Sequence, residues 1–276
     1  MDKVSDRQIA EIESLSQLKD DFLSTISHEL RSPIANIKVA TQMLKLLLQP
    51  DESNGDGKTH FLADPQKTKL KAKIDHYLLI LEQECDREIN LLNNFLDLQQ
   101  LDARNYRLSQ TAVSLQEAVP QVIKPFLNRI AQQQQTLRLE IATNLPILTL
   151  DQTSLERILS ELLYNACKFT PVGEIIIVKL SLELTSTGVS NTLQLKVANS
   201  GIEIPPSEYS RIFDRFYRIP DSDRWKYGGT GLGLTLVKKL VEHLEGSIWV
   251  KSGVGQTCFT VEIPVITPSH AKEFTP

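Results

Sequence analysis

Cysteine is scarce in this chain of 276 residues, and its three copies, Cys85, Cys167 and Cys258, stand far apart. Without a CxxC pair there is no thiol redox centre to expect, and the three read as small buried hydrophobes in a reducing compartment. Long apolar runs are missing too: none approaches the ~18 residues a membrane span needs, and no signal peptide opens the chain. A cytoplasmic segment without membrane contact is the expectation, and attachment of a longer protein to a membrane stays open. Basic excess is absent, since 30 Lys and Arg face 34 Asp and Glu for a net charge of −4, so nothing marks a nucleic-acid partner. Neither a GxxxxGK[ST] loop nor an internal repeat is found. What remains, 41% apolar and 23% charged residues, is ordinary globular material for about two domains.

The first half reads as a helical hairpin. Ile9, Ile12, Leu23, Ile26, Leu30, Ile34, Ile37, Leu44 and Leu48 lie on one seam with spacings of three and four, predicting a long amphipathic helix over residues 1–49. His28 lies two residues from Ile26 and from Leu30, about 200° around the helix, and so faces water. Pro33 has no N–H for the carbonyl of Glu29 and bends the helix beside His28. An exposed imidazole next to a carboxylate, Glu29, fits a nucleophile with its own base; a lone surface His would equally be a solvated residue. Loop chemistry fills about 50–66, long for a connection within a bundle. A second helix is predicted from Thr68 to Tyr106, with the stripe Ile74, Leu78, Leu81, Cys85, Ile89, Leu92, Phe95 and Leu96. Two striped helices cannot cover both seams, so a homodimer through residues 1–106, closing a four-helix bundle, is expected.

After residue 106 helices and strands mix, up to about Ile266, and a polar tail follows from Thr267 to Pro276. The pattern predicts helices over 115–134, ending in a solvated glutamine tract, 151–168, capped by Asp151, and 230–244. Strands are predicted over 137–141, 174–184, 192–198, 247–251 and 257–263, the second and third forming a hairpin. An α+β sandwich follows.

Three places in this half carry chemistry. Glu161, Asn165 and Lys168 share one helical face beside the core stripe Leu155, Ile158, Leu159, Leu162 and Ala166. An acid, an amide and a cation so placed suit a magnesium nucleotide, the amide oxygen ligating the cation and the Lys meeting phosphate; a wet helix face is the alternative. Gly228-Gly229-Thr230-Gly231-Leu232-Gly233 lets backbone amides approach phosphate at a helix start. Asn199-Ser200-Gly201-Ile202-Glu203-Ile204 turns a strand end through Gly. Between the last two lie Arg211–Arg218 and polar Asp221–Tyr227, which together look like a lid.

In this order the motifs resemble the catalytic core of the sensor histidine kinases of two-component signalling. His28-Glu29-Leu30-Arg31-Ser32-Pro33 is similar to the H box, and Glu161 to Thr170 to the N box. Phe213 and Phe216 match the F box, and Gly229-Thr230-Gly231-Leu232-Gly233 the second glycine box. The resemblance implies a signal-entry helix over 1–20, a dimerisation and phosphotransfer hairpin over 21–106, and a gyrase- and chaperone-like ATP-binding sandwich over 107–266. It implies ATP and Mg²⁺ as cofactors, Asn165 and Glu161 at the metal, and Lys168 and Arg218 near the phosphates. Gly201, with Ile204 and Phe216, would line the nucleotide, and Gly229 to Gly233 would hold its phosphates. His28 would attack the γ-phosphorus, Glu29 would manage the ring proton, and Ser32 would orient water toward a phospho-aspartate. The partner implied is a response regulator's receiver domain, with a sensor domain upstream.

Two positions depart from the family's pattern. Its first glycine box opens with an Asp that reads the adenine amino group, where this chain has Asn199, and Glu203 replaces a Gly. Two other classes share part of the signal: an ATPase of the same superfamily, and a dimeric docking module without kinase activity.

Overall fold

The computed structural model describes residues 30, 31, 33–48, 64–103, 106–143, 145–184, 191–220 and 230–265. They divide into two units, Met1–Asn93 and Asn94–Pro276. The predicted helix over 1–20, most of the 50–66 insert and the 267–276 tail lie outside the described residues.

In the first unit, residues 33–48 form helix α1, and most of α2, Asp64–Asp102, belongs here. α2 starts at Asp64, four residues before the predicted Thr68, because Pro65 fits the first turn of a helix and carries no apolar signal. Asn36 Nδ2 donates to Glu84 Oε1 at 2.8 Å across the hairpin. Ala40 and Leu91 are buried, while Ile34, Met43, Leu46 and Leu48 of α1 and Leu78, Ile89 and Leu92 of α2 are exposed. The seams therefore split: part closes the hairpin, and the rest, Ile34 at 56% exposure included, forms an apolar surface that one chain leaves open. Cys85, expected to be buried, is exposed. It lies seven residues after Leu78 and four before Ile89, on the same outward stripe.

The second unit opens with the last turns of α2. Strands β1 (Gln110–Val113) and β3 (Leu148–Asp151) pair antiparallel as a small sheet. The main sheet holds β2 (Thr136–Ile141), β4 (Ile175–Leu184), β5 (Asn191–Ser200), β6 (Ser247–Gly253) and β7 (Gln256–Val265) in the order β2-β4-β5-β7-β6. β2 runs parallel to β4, and the other pairs are antiparallel, with the predicted hairpin found as β4–β5. Helices α3 (Leu115–Ile123), α5 (Gln152–Phe169) and α6 (Gly233–His243) supply Leu115, Ile158, Leu162 and Leu236 to a core shared with Val178, Leu195 and Val261 of the sheet. This is the α/β sandwich the sequence led us to expect.

The helix predicted over 115–134 is instead α3, a 3₁₀ turn Lys124–Phe126, and α4 (Leu127–Gln132). Pro125 lacks the N–H an α-helix would use and interrupts it. The glutamine tract is not wholly solvated. After Gln134 takes a positive φ of 52°, Gln135 is buried and its Nε2 donates to the carbonyls of Cys167 at 3.1 Å and Thr170 at 2.5 Å. It caps the end of α5, whose last carbonyls have no helical partner. At the other end Asp151 caps as predicted, its Oδ1 accepting from the N–H of Ser154 at 2.7 Å. α6 starts at Gly233 rather than Thr230, because Gly231 at φ 71° holds the chain out of the helix. No helix among the described residues is long and apolar enough to cross a membrane.

Candidate functional site

α5 turns Leu155, Ile158, Leu159, Leu162 and Ala166 into the core. Glu161, Asn165 and Lys168, spaced by four and three, then fall within about 60° of one another on the adjoining face. Asn165 and Lys168 are half-buried, and the Lys168 ammonium lies 4.6 Å from the centre of the Phe169 ring. Glu161 is only 7% exposed. A carboxylate at that depth needs partners, and it has them. Arg157, one turn earlier, brings its Nη1 to 3.7 Å, and the side chain of Asn94 hydrogen-bonds to it. Burial pushes the Glu161 carboxyl up from its ordinary range, Arg157 and the Asn94 hydrogen bond pull it back, and Asp97 adds to the upward push.

The second glycine segment closes on this carboxylate. A Cβ on Gly233, the first residue of α6, would sit 2.5 Å from Glu161 Oε2, so any larger residue there pushes the carboxylate from its place. The helix start also favours a negative group beside it. Gly231 approaches Phe216 as closely: a Cβ would meet the Phe216 carbonyl carbon at 2.7 Å, and the Phe216 N–H donates to the Gly231 carbonyl at 3.1 Å. Phe216 holds a positive φ of 60° and packs with Ile204 against the core. Thr230 Oγ1 accepts from the Leu232 N–H at 3.3 Å, and Leu232 is fully buried. The predicted residues Glu161, Gly231, Gly233 and Phe216 are thus brought together.

The first glycine segment sits just past the C-terminal end of α5. Gly201, at φ 91°, would place a Cβ 2.6 Å from Pro171 Cδ. Asn199 is 6% exposed, and its side-chain amide has no hydrogen bond among the described residues. The Glu203 that replaces a family glycine accepts from the Gly255 N–H, while the Gly201 N–H donates to the Gly255 carbonyl at 2.7 Å. Ile204 N–H donates to Ser252 Oγ at 2.9 Å, and the Tyr209 hydroxyl donates to the Ser252 carbonyl at 2.8 Å. The departure at Glu203 is therefore a tie between this loop and the β6–β7 turn.

His28, Glu29, Ser32, Gly229 and the predicted lid residues Asp221–Tyr227 lie outside the described residues; Arg218 is half-buried. His243 joins this domain's start to α6: its Nε2 is 3.1 Å from the Tyr106 carbonyl, and the two rings meet edge to face at 5.5 Å. Sequence reasoning missed Arg157, Asn94 and Asp97. The i, i+4 spacing of Arg157 and Glu161 was a usable signal; the arrival of α2 at α5 left none in the sequence. No cluster of three or more His, Cys, Asp or Glu that would hold a metal exists among the described residues. The amide oxygen of Asn165 and the carboxylate of Glu161 fit Mg²⁺, which takes one or two protein oxygens and completes its shell with phosphate and water.

Residues 18–104 match the family described as His Kinase A (phospho-acceptor) domain, and residues 150–267 the family of histidine kinase-, DNA gyrase B- and HSP90-like ATPases. The sensor histidine kinase WalK of Bacillus subtilis is 27% identical over 93% of this chain, which spans 38% of WalK. The crystal structure of full-length ShkA in complex with AMPPNP matches with a TM-score of 0.57 and 25% identity, over 90% of this chain and 46% of that one. ThkA crystallised with the response regulator protein TrrA shares the fold at a TM-score of 0.57 and 19% identity, over 96% of this chain and 67% of ThkA.

Proposed function

The chain belongs to the histidine kinase family, carrying a phosphoacceptor domain followed by an ATPase-type domain, and from that premise we propose that it uses ATP to phosphorylate His28 and passes the phosphoryl group to an aspartate of a response regulator. The supporting observation is the convergence of the Glu161 face of α5 with the Gly231–Gly233 turn, where backbone is bared at the start of α6. Phosphoryl transfer depends mainly on positioning and on neutralising charge, and each residue there has a part in one or the other.

Bound Mg²⁺ would supply Lewis-acid charge at the β- and γ-phosphate oxygens. Asn165 offers its amide oxygen to the ion and Glu161 orients the waters around it. Lys168 and Arg218 meet phosphate, as do the backbone N–H groups of Gly229 to Gly233. Asn199 accepts from the adenine amino group, and Gly201 and Ile204 leave room for the ring. At His28 a ring nitrogen forms the N–P bond as the γ-phosphorus to oxygen bond breaks and ADP leaves. Glu29 takes the ring proton. Ser32, one turn further on, orients water when a regulator's phospho-aspartate is hydrolysed.

The exposed stripes Ile34–Leu48 and Leu78–Leu92 are the surface through which two chains close a four-helix bundle. The chain spans 38% of WalK; in a longer protein, an upstream sensor domain would act through the segment that precedes His28.

The experiment is incubation of the chain with γ-labelled ATP and Mg²⁺. Acid-labile, base-stable label is expected, and its loss in His28→Gln while the variant stays dimeric by sedimentation. Substantial label remaining in that variant would overturn the assignment.

A further inference from the structure

One side chain outside the assigned site touches both the site and α2. The Arg157 guanidinium donates through Nε to Asp97 Oδ2 at 3.1 Å and through Nη2 to Asn94 Oδ1, while its Nη1 lies 3.7 Å from Glu161. Asn94 is buried and uses its amide twice, its oxygen on Arg157 and its remaining capacity on Glu161. Asp97, Asn94, Arg157 and Glu161 thus make one connected polar group running from α2 to the residue set against Gly233. Two of the guanidinium's nitrogens are held by hydrogen bonds to α2, so the fork cannot rotate without breaking charge-assisted bonds.

We propose that Arg157 is a positioning residue of the phosphoryl-transfer site: held by Asp97 and Asn94, it fixes where the Glu161 carboxylate points. The inference rests on the reading of Glu161 as the residue that orients water at the metal. Groups that orient a metal's ligands from outside typically change metal affinity or activity about 10–100-fold when removed. Arg157→Met keeps the length of the side chain and removes the fork.

Two measurements test this on the full chain. In the first, Mg²⁺ dependence of label uptake is compared for Arg157→Met and Arg157→Lys, with nucleotide affinity measured in chelator. The Met variant should need about tenfold more Mg²⁺ or label about tenfold more slowly, the Lys variant should recover part of the loss, and metal-free nucleotide affinity should stay within about twofold. Wild-type labelling in Arg157→Met, or an equal fall in metal-free affinity, overturns the proposal. In the second, the Arg157 Nε–H resonance is followed in isotope-labelled, metal-free protein and assigned by its disappearance in Arg157→Lys. Asp97→Ala should broaden it and Glu161→Gln should shift it; a signal indifferent to both overturns the proposal. A wild-type protein that takes up no label would instead defeat the kinase reading, and the resonance would still decide whether Arg157 holds Glu161.

Discussion

Replacing Gly231 by alanine puts a methyl group into backbone. The new Cβ would lie 2.7 Å from the Phe216 carbonyl carbon, 2.8 Å from its Cα and 2.9 Å from the Tyr217 carbonyl oxygen. None of these is the far end of a movable side chain, so the main chain itself has to retreat. Gly231 also sits at φ 71°, where an L-residue costs about 1–2 kcal/mol. Overpacking adds about 1–3 kcal/mol, and retreat of Phe216 breaks its N–H hydrogen bond to Gly231, worth about 1 kcal/mol. Together these reach about 3–6 kcal/mol before relaxation, large against the stability of a domain. Urea unfolding followed by circular dichroism should show a clearly lower midpoint, and ATP binding should fall with it. Gly233→Ala is the control, because its Cβ would meet only the Glu161 carboxylate at 2.5 Å, the end of a side chain rather than backbone. That variant should keep its unfolding midpoint and lose labelling activity. A wild-type midpoint in Gly231→Ala would refute the steric argument.

Two further outcomes are expected. Asn165→Ala should abolish Mg-ATP-dependent labelling while circular dichroism and the unfolding midpoint stay unchanged, since the half-buried amide acts as a ligand rather than as packing. Asn199→Asp should tighten ATP binding or leave it unchanged by calorimetry, because a carboxylate accepts about twice as strong a hydrogen bond as a neutral amide; loss of binding in a folded variant would mean the site is tuned to Asn199.

Motif order and periodicity made much of this molecule legible. The 3.6-residue rhythm of Leu155, Ile158, Leu159 and Leu162 set α5 and with it the face carrying Glu161, Asn165 and Lys168. Alternation revealed β4 and β5, and Asp151 announced the helix it caps. What escaped were features decided by partners distant in sequence. β1 and β3 are four residues each, too short for a period-two pattern, and exist because they pair with one another. Gln135 looks like one more solvated glutamine until the end of α5 arrives with unpaired carbonyls. α2 stops at Asp102 rather than Tyr106 because the chain beyond is drawn to other elements: the Tyr106 hydroxyl is 3.2 Å from Ser154 Oγ, and Asp102 pairs with Arg215 and with Lys239 at 3.6 Å. The depth of Glu161 was equally invisible, since its shelter comes from Asn94 and from the start of α6.

The β6–β7 turn has a practical consequence for anyone fusing a reporter to this protein. Val254 stands fully in water at its tip, and exposed tips are the usual sites for splicing in a tag. Here the neighbouring Gly255 spends its N–H on Glu203 and its carbonyl on the Gly201 N–H, so the tip behaves as a strut under the end of β5. A peptide spliced in at this point would pull on Gly201 and, through it, on the contact with Pro171, and a binding defect would follow from a change made in open solvent.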